Sequence, residues 1–459
     1  MGLRPRRTDG RAPLAALLSF LWPGLGQAYR GRGGDAAILA LPPAAVALVL
    51  IALLLLLGPL IWVVHLLNPL MSLGLLLLAL VLGAWRTFSI FNAAYPGGRG
   101  ANVVAVLLTG AVIVSHAWVA AIAFSFYEAG QRIYEPSDGA NAGQGPMPTL
   151  APGSTDGAGP GPATSPSSSQ TPADNPLPGT TSRVTVLLVG IDNTHAADRG
   201  LTDSLIVASF DPVTRSLTMI SIPRDTGRLP FYRGGEFGPR INTLMQTAAR
   251  NPDEYPDGPL GTLVNEVSYI VGIPIHYSAR IDIAGFTTLI DAVGGVDIVL
   301  DSAIADSTYQ FSATEIGFHL EAGPHHLDGK LATAFARSRH GAGNSDYERA
   351  KRQQQLLLAV RQKLNDPLVI ANASAVISAV SEIIRTDAPL ERLPDILSIA
   401  LRSQDAATRQ VVLRPPNYAQ GVVNENGLPT SMNQLRPEAV AALSIELFGA
   451  ESRYFSPGP

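Results

Sequence analysis

The sequence predicts two architectures in series: an all-α membrane block, then an α/β domain whose sheet is covered by helices. Two observations carry this. Three long apolar stretches crowd the first 127 of the 459 residues, and each is long enough to cross a bilayer, which takes about 20 residues. From residue 183 onward, short β-branched runs alternate with helical stretches, the pattern of a sheet with connecting helices. A segment rich in Pro, Gly, Ser, Thr and Ala, residues 128–182, separates the two.

The apolar stretches are residues 36–57, 60–82 and 101–126. The first contains Pro42-Pro43 and the second Asn68-Pro69, which membrane helices accommodate when neighbours re-satisfy the backbone. Residues 12–28 are shorter and interrupted by Pro23 and Gly24, and read as interfacial or re-entrant. Arg4, Arg6, Arg7, Arg11, Arg30 and Arg32 precede the first span, and Arg86 and Arg99 lie between the second and third. The positive-inside rule then places the N-terminus in the cytoplasm and everything after Phe126 outside a plasma membrane crossed several times. The apolar runs continue as several spans, so the N-terminus does not read as a cleavable signal peptide. The string at residues 18–31 resembles the P-G-L-G-Q-x-Y-x-G motif of small two-helix membrane hairpins.

Residues 128–182 hold too few large apolar side chains to offset chain entropy, and read as a disordered tether. The net charge is −4, so no global basic field argues for a nucleic-acid partner. With no cysteine in the chain, disulfide scaffolds, thiolate metal sites and Cys nucleophiles are excluded.

The working domain is expected over residues 183–452. Residues 184–189, 205–210, 217–222, 275–281 and 296–300 read as strands, and 261–270, 283–293 and 329–336 as helices. Polar clusters sit at strand ends: Asp192 after the first, Thr202-Asp203-Ser204 opening the second, Arg224-Asp225 after the third. Strand ends are where open α/β sheets bind ligands.

The densest chemistry lies between residues 334 and 356. Arg337 and Arg339, two apart, share a side of an extended segment. After a Gly-rich turn, Asp346 reads as the cap of a helix on which Arg349, Arg352 and Gln353 share one face. This is either a solvated basic helix with ordinary ion pairs, or a set of guanidinium forks converging on a phosphate or diphosphate. Asp192 and Asp203 are either surface aspartates in turns or an oxygen-only pair suited to magnesium. His319, His325 and His326 read as a turn ahead of the helix at 329–336 rather than as metal ligands.

Eight blocks decide between these readings: L-L-V-G-I-D (187–192), T-D-S-L (202–205), S-I-P-R-D-T (221–226), R-I-N (240–242), D-A-V-G-G-V-D-I (291–298), G-P-H-H-L-D-G (323–329), A-R-S-R-H (336–340) and D-Y-E-R-A-K-R-Q-Q (346–354). In this order they resemble the LytR–CpsA–Psr family of envelope glycopolymer transferases. The resemblance implies a three-layer α/β/α sandwich with a central mixed sheet. It also implies a Mg2+-dependent phosphotransferase that moves a glycopolymer, with its phosphate, from a polyprenyl-pyrophosphate carrier to a peptidoglycan hydroxyl. Carried over, Asp192 and Asp203 match the magnesium ligands. Arg224, Arg337, Arg339 and Arg349 match the pyrophosphate arginines, Gln353 their partner, and Arg240 a basic residue ahead of Ile-Asn. The acceptor's base is Asp225 or Asp203. Phe286, Leu289, Ile290 and Leu300 are the expected walls of a tunnel for the lipid tail. Where the family reads R-S-D, this chain has Leu201-Thr202-Asp203, with Arg199 nearby. The rival readings are a polyprenyl-pyrophosphate hydrolase and a non-catalytic lipid-pyrophosphate binder that regulates envelope assembly.

Overall fold

The computed structural model describes residues 10–135, 183–191, 201–282, 285–341, 345–403, 405–424 and 426–455. Residues 136–182, expected as most of the tether, and Asp192 and Arg199 lie outside the described residues. The chain divides into two units, Met1–Gln131 and Arg132–Pro459.

The first unit is helical: α1 (Ala12–Leu21), α2 (Leu25–Tyr29), α3 (Gly33–Leu57), α4 (Pro59–His65), α5 (Pro69–Ala94) and α6 (Arg99–Ile133). Helices α3, α5 and α6, of 25, 26 and 35 residues, are long and apolar enough to cross a membrane. The stretch expected as one helix over 60–82 is broken. Asn68 is extended, its side chain accepts from the Leu70 N–H, and Pro69 opens α5. Proline is preorganised for a helix start and carries no donor to continue the one before it. Within residues 12–28, Ala12, Ala15 and Ala16 are fully buried. Gln27, also buried, accepts from Ser19 Oγ (2.9 Å) and donates to the Ser89 carbonyl of α5 (2.9 Å). The glutamine of the P-G-L-G-Q string therefore joins α2 to α5.

The second unit is built on a six-stranded mixed sheet in the order β11-β6-β1-β2-β3-β12. Its strands are β1 (Val184–Ile191), β2 (Thr202–Asp211), β3 (Ser216–Ile222), β6 (Tyr277–Asp282), β11 (Ile384–Thr386) and β12 (Ala407–Val412). Strands β1, β2 and β3 form an antiparallel meander, while β6 pairs with β1 and β12 with β3 in parallel. Alternation sorts the side chains onto two faces. Leu187, Val189 and Ile191 pack under α7 (Leu244–Arg250), α8 (Gly258–Val271) and α15 (Pro437–Phe448). Leu188 and Ile206 face α11 (Asp346–Lys363) and α14 (Leu393–Arg402). Helices on both faces of one sheet make three layers.

Short hairpins complete the unit: β4 (Gly227–Pro230) with β5 (Glu236–Arg240), β8 (Ile304–Gln310) with β9 (Ile316–Leu320), and β13 (Ala419–Val423) with β14 (Pro429–Leu435). A second core gathers α9 (Phe286–Ala292), α10 (Gly329–Arg337), α13 (Ala373–Ile383) and strand β7 (Val296–Leu300) against α11; the short helix α12 (Pro367–Ala371) adds Val369 to it. Residues 323–329, expected as a turn, form strand β10 (Gly323–Leu327) antiparallel to β7, and Asp328 then caps α10. Alternating burial of the strand, with Leu327 inward, overrides the local Gly-Pro signal.

One buried polar residue of helix α11 reaches two strands of the sheet. Gln354 is fully buried, and its amide donates to Ser221 Oγ of β3 (2.8 Å) and to the Val411 carbonyl of β12 (3.0 Å). Gln354→Met, similar in length but unable to donate, leaves those acceptors unsatisfied. It should cost about 1–3 kcal/mol, read as a lowered denaturation midpoint of the full chain in detergent. An unchanged midpoint contradicts the assignment.

Candidate phosphate-binding site

Helix α10 ends at Arg337, and Ser338 turns extended (φ −55°, ψ 135°). Arg337 thus stands on the last helical turn rather than on the extended segment expected from its spacing with Arg339. The turn that follows is held by Asp306 of β8, a residue the sequence reading passed over. Asp306 is 1% exposed. It accepts from Ser338 Oγ (2.9 Å) and from the backbone N–H groups of Arg339 (3.2 Å) and His340 (3.1 Å). Thr308 adds its hydroxyl (2.8 Å) and N–H (3.1 Å). Burial opposes ionisation of this carboxyl, but the hydrogen bonds from Thr308, His340 and Ser338 together outweigh it and hold it below the usual range. Gly341 closes the turn at φ +101°, where a Cβ would overlap the Ala305 carbonyl oxygen.

The C-terminal carbonyls of α10 need donors, as at any helix end. Arg352 supplies them. Its Nε donates to the Phe335 carbonyl (2.8 Å), its Nη2 to the Ser338 carbonyl, and its guanidinium lies 5.7 Å from the Phe335 ring centre. Arg352 therefore braces α10, and only Arg349 and Gln353 of the expected helical trio reach the site. The N-cap of α11 is Ser345, whose hydroxyl accepts from the Glu348 N–H (3.2 Å), in place of the expected Asp346.

Asp346, one position inside the helix, has a different contact set. Its Oδ1 lies 3.0 Å from Arg349 Nη2 and 3.9 Å from Arg224 Nε. Arg224, in the turn after β3, donates from Nη1 to Asp203 Oδ1 (2.8 Å), and Arg349 Nη2 also donates to the Asp203 carbonyl (3.3 Å). Burial lowers the Arg349 pKa to about 10, helped by the positive charges of Arg224 and Arg339 and opposed by Asp346 and Asp203.

Arg224, Arg337, Arg339 and Arg349 line one cavity of about 80 Å³ with Asp203, Ala336 and Gln353. Gln353 is oriented by its amide, which donates to the Ala336 carbonyl (3.3 Å). A second cavity, about 70 Å³ and mostly apolar, shares Ala336 and Gln353 with the first and is walled by Leu188, Ile206, Phe286, Leu356 and Leu357. Of the expected tail walls, Phe286 lines it, while Leu289, Ile290 and Leu300 are packed into the second core.

Arg240 does not line the arginine cavity. Its Nη1 is 3.6 Å from Asp225 Oδ1, and its Nη2 donates to Ser431 Oγ. Asp225 is linked to the site through Asp346: burial and then the Asp346 carboxylate push its pKa up, against Arg224 and Arg240. Among the described residues, no three His, Cys, Asp or Glu side chains gather as a metal cluster. His319 pairs with Glu321 (2.8 Å) and His326 with Asp297 (2.7 Å). Asp203 and Asp346, on either side of Arg224, are oxygen donors, and the buried Asp346 Oδ1 receives no hydrogen bond among the described residues. One or two carboxylates completed by phosphate oxygens is a donor set that suits magnesium.

Fold and site together define an α/β domain with an arginine-lined cavity at the ends of its strands. The chain belongs to the LytR_cpsA_psr family, whose model matches residues 163–436. A polyisoprenyl-teichoic acid–peptidoglycan teichoic acid transferase, TagU, of Halalkalibacterium halodurans is 32% identical over 213 residues, 46% of this chain and 64% of that protein. The TagU of Bacillus mycoides is 30% identical over 46% of this chain and 63% of its own. The chain thus spans just under two thirds of these relatives' length. Among solved structures, that of TagV from B. subtilis aligns over 61% of this chain and all of that one, at 22% identity and a TM-score of 0.46.

Asp306 gives a testable sign. A carboxyl with a depressed folded pKa stabilises fully above its unfolded pKa of about 3.9 and loses that contribution as pH falls through the folded value. Asp306→Asn should therefore lower stability at neutral pH and flatten the acid side of a stability-versus-pH curve measured by denaturation. A variant curve parallel to the wild type contradicts the role.

Proposed function

We propose that the protein transfers a glycopolymer with its terminal phosphate from a polyprenyl-pyrophosphate carrier to a peptidoglycan hydroxyl outside the plasma membrane. The observation that supports this best is the pair of joined cavities, four guanidiniums around one and an apolar wall around the other. A pyrophosphate bearing a hydrocarbon tail needs those two environments side by side. Family membership and the transferase relatives favour the same reading, with teichoic acid as the polymer class those relatives carry. The arginines before α3, Arg86 toward the end of α5 and Arg99 opening α6, with three long apolar helices, favour a cytoplasmic N-terminus and an outward second unit.

In the proposed reaction the acceptor hydroxyl oxygen attacks the phosphorus next to the sugar. The bridging P–O bond breaks, polyprenyl monophosphate leaves, and a phosphodiester joins polymer to peptidoglycan. The non-bridging oxygens gather negative charge, which Arg224, Arg337, Arg339 and Arg349 are placed to offset in a small cavity. Gln353, at the junction of the two cavities, holds the donor's headgroup against its tail. Asp225 is the base for the hydroxyl proton, its proton affinity raised by burial and Asp346 toward the working range of a general base. Magnesium would be held by Asp203 and Asp346, with Asp192 implied by resemblance, and would neutralise phosphate charge.

Full-length protein in detergent, given a lipid-linked oligosaccharide, magnesium and a peptidoglycan oligomer, should form a phosphodiester-linked conjugate detectable by mass spectrometry. Release of lipid phosphate without conjugate would instead make the protein a hydrolase, and binding with neither product a regulator. Because Asp225 must be ionised to accept a proton, the rate should rise with pH through its elevated pKa. Asp225→Asn should be slow and lack that rising limb. Removing one cavity guanidinium, as in Arg224→Ala or Arg349→Ala, should weaken polyprenyl-pyrophosphate binding by about 1.5–3 kcal/mol, the range for charge-assisted hydrogen bonds, measured by titration calorimetry. Wild-type affinity in both contradicts the assigned cavity.

A further inference from the structure

Two cavities of the second unit, about 700 and 570 Å³, take no part in the chemistry above. They share Val299 and Gln355, whose amide donates to the Val299 carbonyl (2.8 Å), so they adjoin at this waist and together form one interrupted groove. Its floor is α11, from Glu348 at one end to Gln362 at the other. At 1.5 Å per residue that is about 21 Å of helix, room for several sugars in a line. At 3.6 residues per turn, Glu348, Gln355 and Gln362 lie on one face, and Arg349, Gln353 and Leu356 lie on the opposite one. The phosphate and apolar cavities therefore occupy one side of α11 and the groove the other. Neighbouring residues enter the two sites at the helix's first two turns: Glu348 the groove and Arg349 the phosphate cavity, then Arg352 and Gln354 the groove on either side of Gln353 in the phosphate cavity.

The lining says what kind of chain fits. It is polar: Lys351, Gln355, Gln410 and Arg414 offer donors, and Tyr418 offers a ring face for a sugar's C–H surface. Yet most of its charges are offset. Lys351 and Arg414 share Glu348 (2.9 and 3.3 Å), Arg409 pairs with Glu446 (3.0 Å), His326 with Asp297 (2.7 Å), and the lining Arg352 is spent on the carbonyls of α10. A polyanion gains little from cations that are already neutralised, in contrast to the crowded guanidiniums of the phosphate cavity. Hydroxyl and amide groups lose nothing there.

We propose that this groove holds the acceptor, a glycan strand rich in hydroxyl and acetamido groups, and delivers its terminal portion to the phosphate at the N-terminus of α11. The proposal rests on the transfer reading for its role, but the groove's ligand is testable separately.

The test uses full-length protein in detergent and peptide-free oligosaccharides cut from peptidoglycan, from disaccharide to octasaccharide, with affinities from titration calorimetry. Gln355→Trp and Val299→Trp each fill the waist of the groove from a different wall and touch nothing in the phosphate cavity. Wild-type affinity should rise from disaccharide to tetrasaccharide and then level off. Both variants should lose at least tenfold in tetrasaccharide affinity while binding polyprenyl pyrophosphate normally, which also shows that they are folded. Tetrasaccharide affinity unchanged in both variants overturns the proposal. So does a loss confined to the lipid-linked glycopolymer, which would give the groove to the donor. If groove-dependent glycan binding is found but the wild type makes no conjugate, the groove stands and the transfer reading falls. If conjugate forms with the same acceptor KM in the variants, the transfer reading stands and the groove falls.

Discussion

Like charge in a small space is the constraint on which the second unit depends. Four guanidiniums lining a cavity of about 80 Å³ repel one another, and their exposure to water is limited: Arg349 keeps only 8% of its side-chain surface. Such a cluster persists only if its backbone is fixed by other means and some of the charge is matched. Asp203 and Asp346 provide the matching, each in contact with Arg224 and Arg349. The fixing comes from Asp306, which gathers the turn carrying Arg339, and from Arg352, which closes the end of α10 carrying Arg337. The residual positive charge is what an incoming diphosphate would cancel.

This arrangement explains why α11 is so heavily anchored. One helix supplies Arg349 and Gln353 to the cavity, Arg352 to α10 and Gln354 to the sheet. Arg352, Gln353 and Gln354 are consecutive, so they point in three directions around the helix. A rotation of α11 by part of a turn would break all of them together. Rigid placement of this kind is what phosphoryl transfer needs, since most of its catalysis is positioning and electrostatics.

Much of the architecture was legible because strong periodic signals dominate it. The apolar runs that became α3, α5 and α6, and the β-branched runs that became β1, β2 and β3, contain little to contradict them. The misreadings fall where local chemistry and tertiary context part. Asn68-Pro69 looked like a tolerable kink and is a helix start. Gly323-Pro324 looked like a turn and is the start of a strand, because pairing with β7 buries Leu327. The arginines that line the cavity were legible through the blocks that contain them. Asp306 was not, for an isolated aspartate in a strand carries no local sign that three residues more than thirty positions away will donate to it. Asp346 was seen only as a cap, since nothing in its sequence context announces Arg224. Arg352 shares a helical face with Arg349 by spacing, but the orphan carbonyls of α10 capture it.

The central claim is that phosphate travels with the polymer. The most direct measurement follows radiolabelled phosphorus, placed in the sugar-proximal phosphate of a polyprenyl-pyrophosphate-linked oligosaccharide, through one incubation of full-length protein with peptidoglycan oligomers. The account predicts label in the conjugate, with unlabelled polyprenyl monophosphate released. Label left on the lipid, or freed as inorganic phosphate while sugar is transferred, would contradict it.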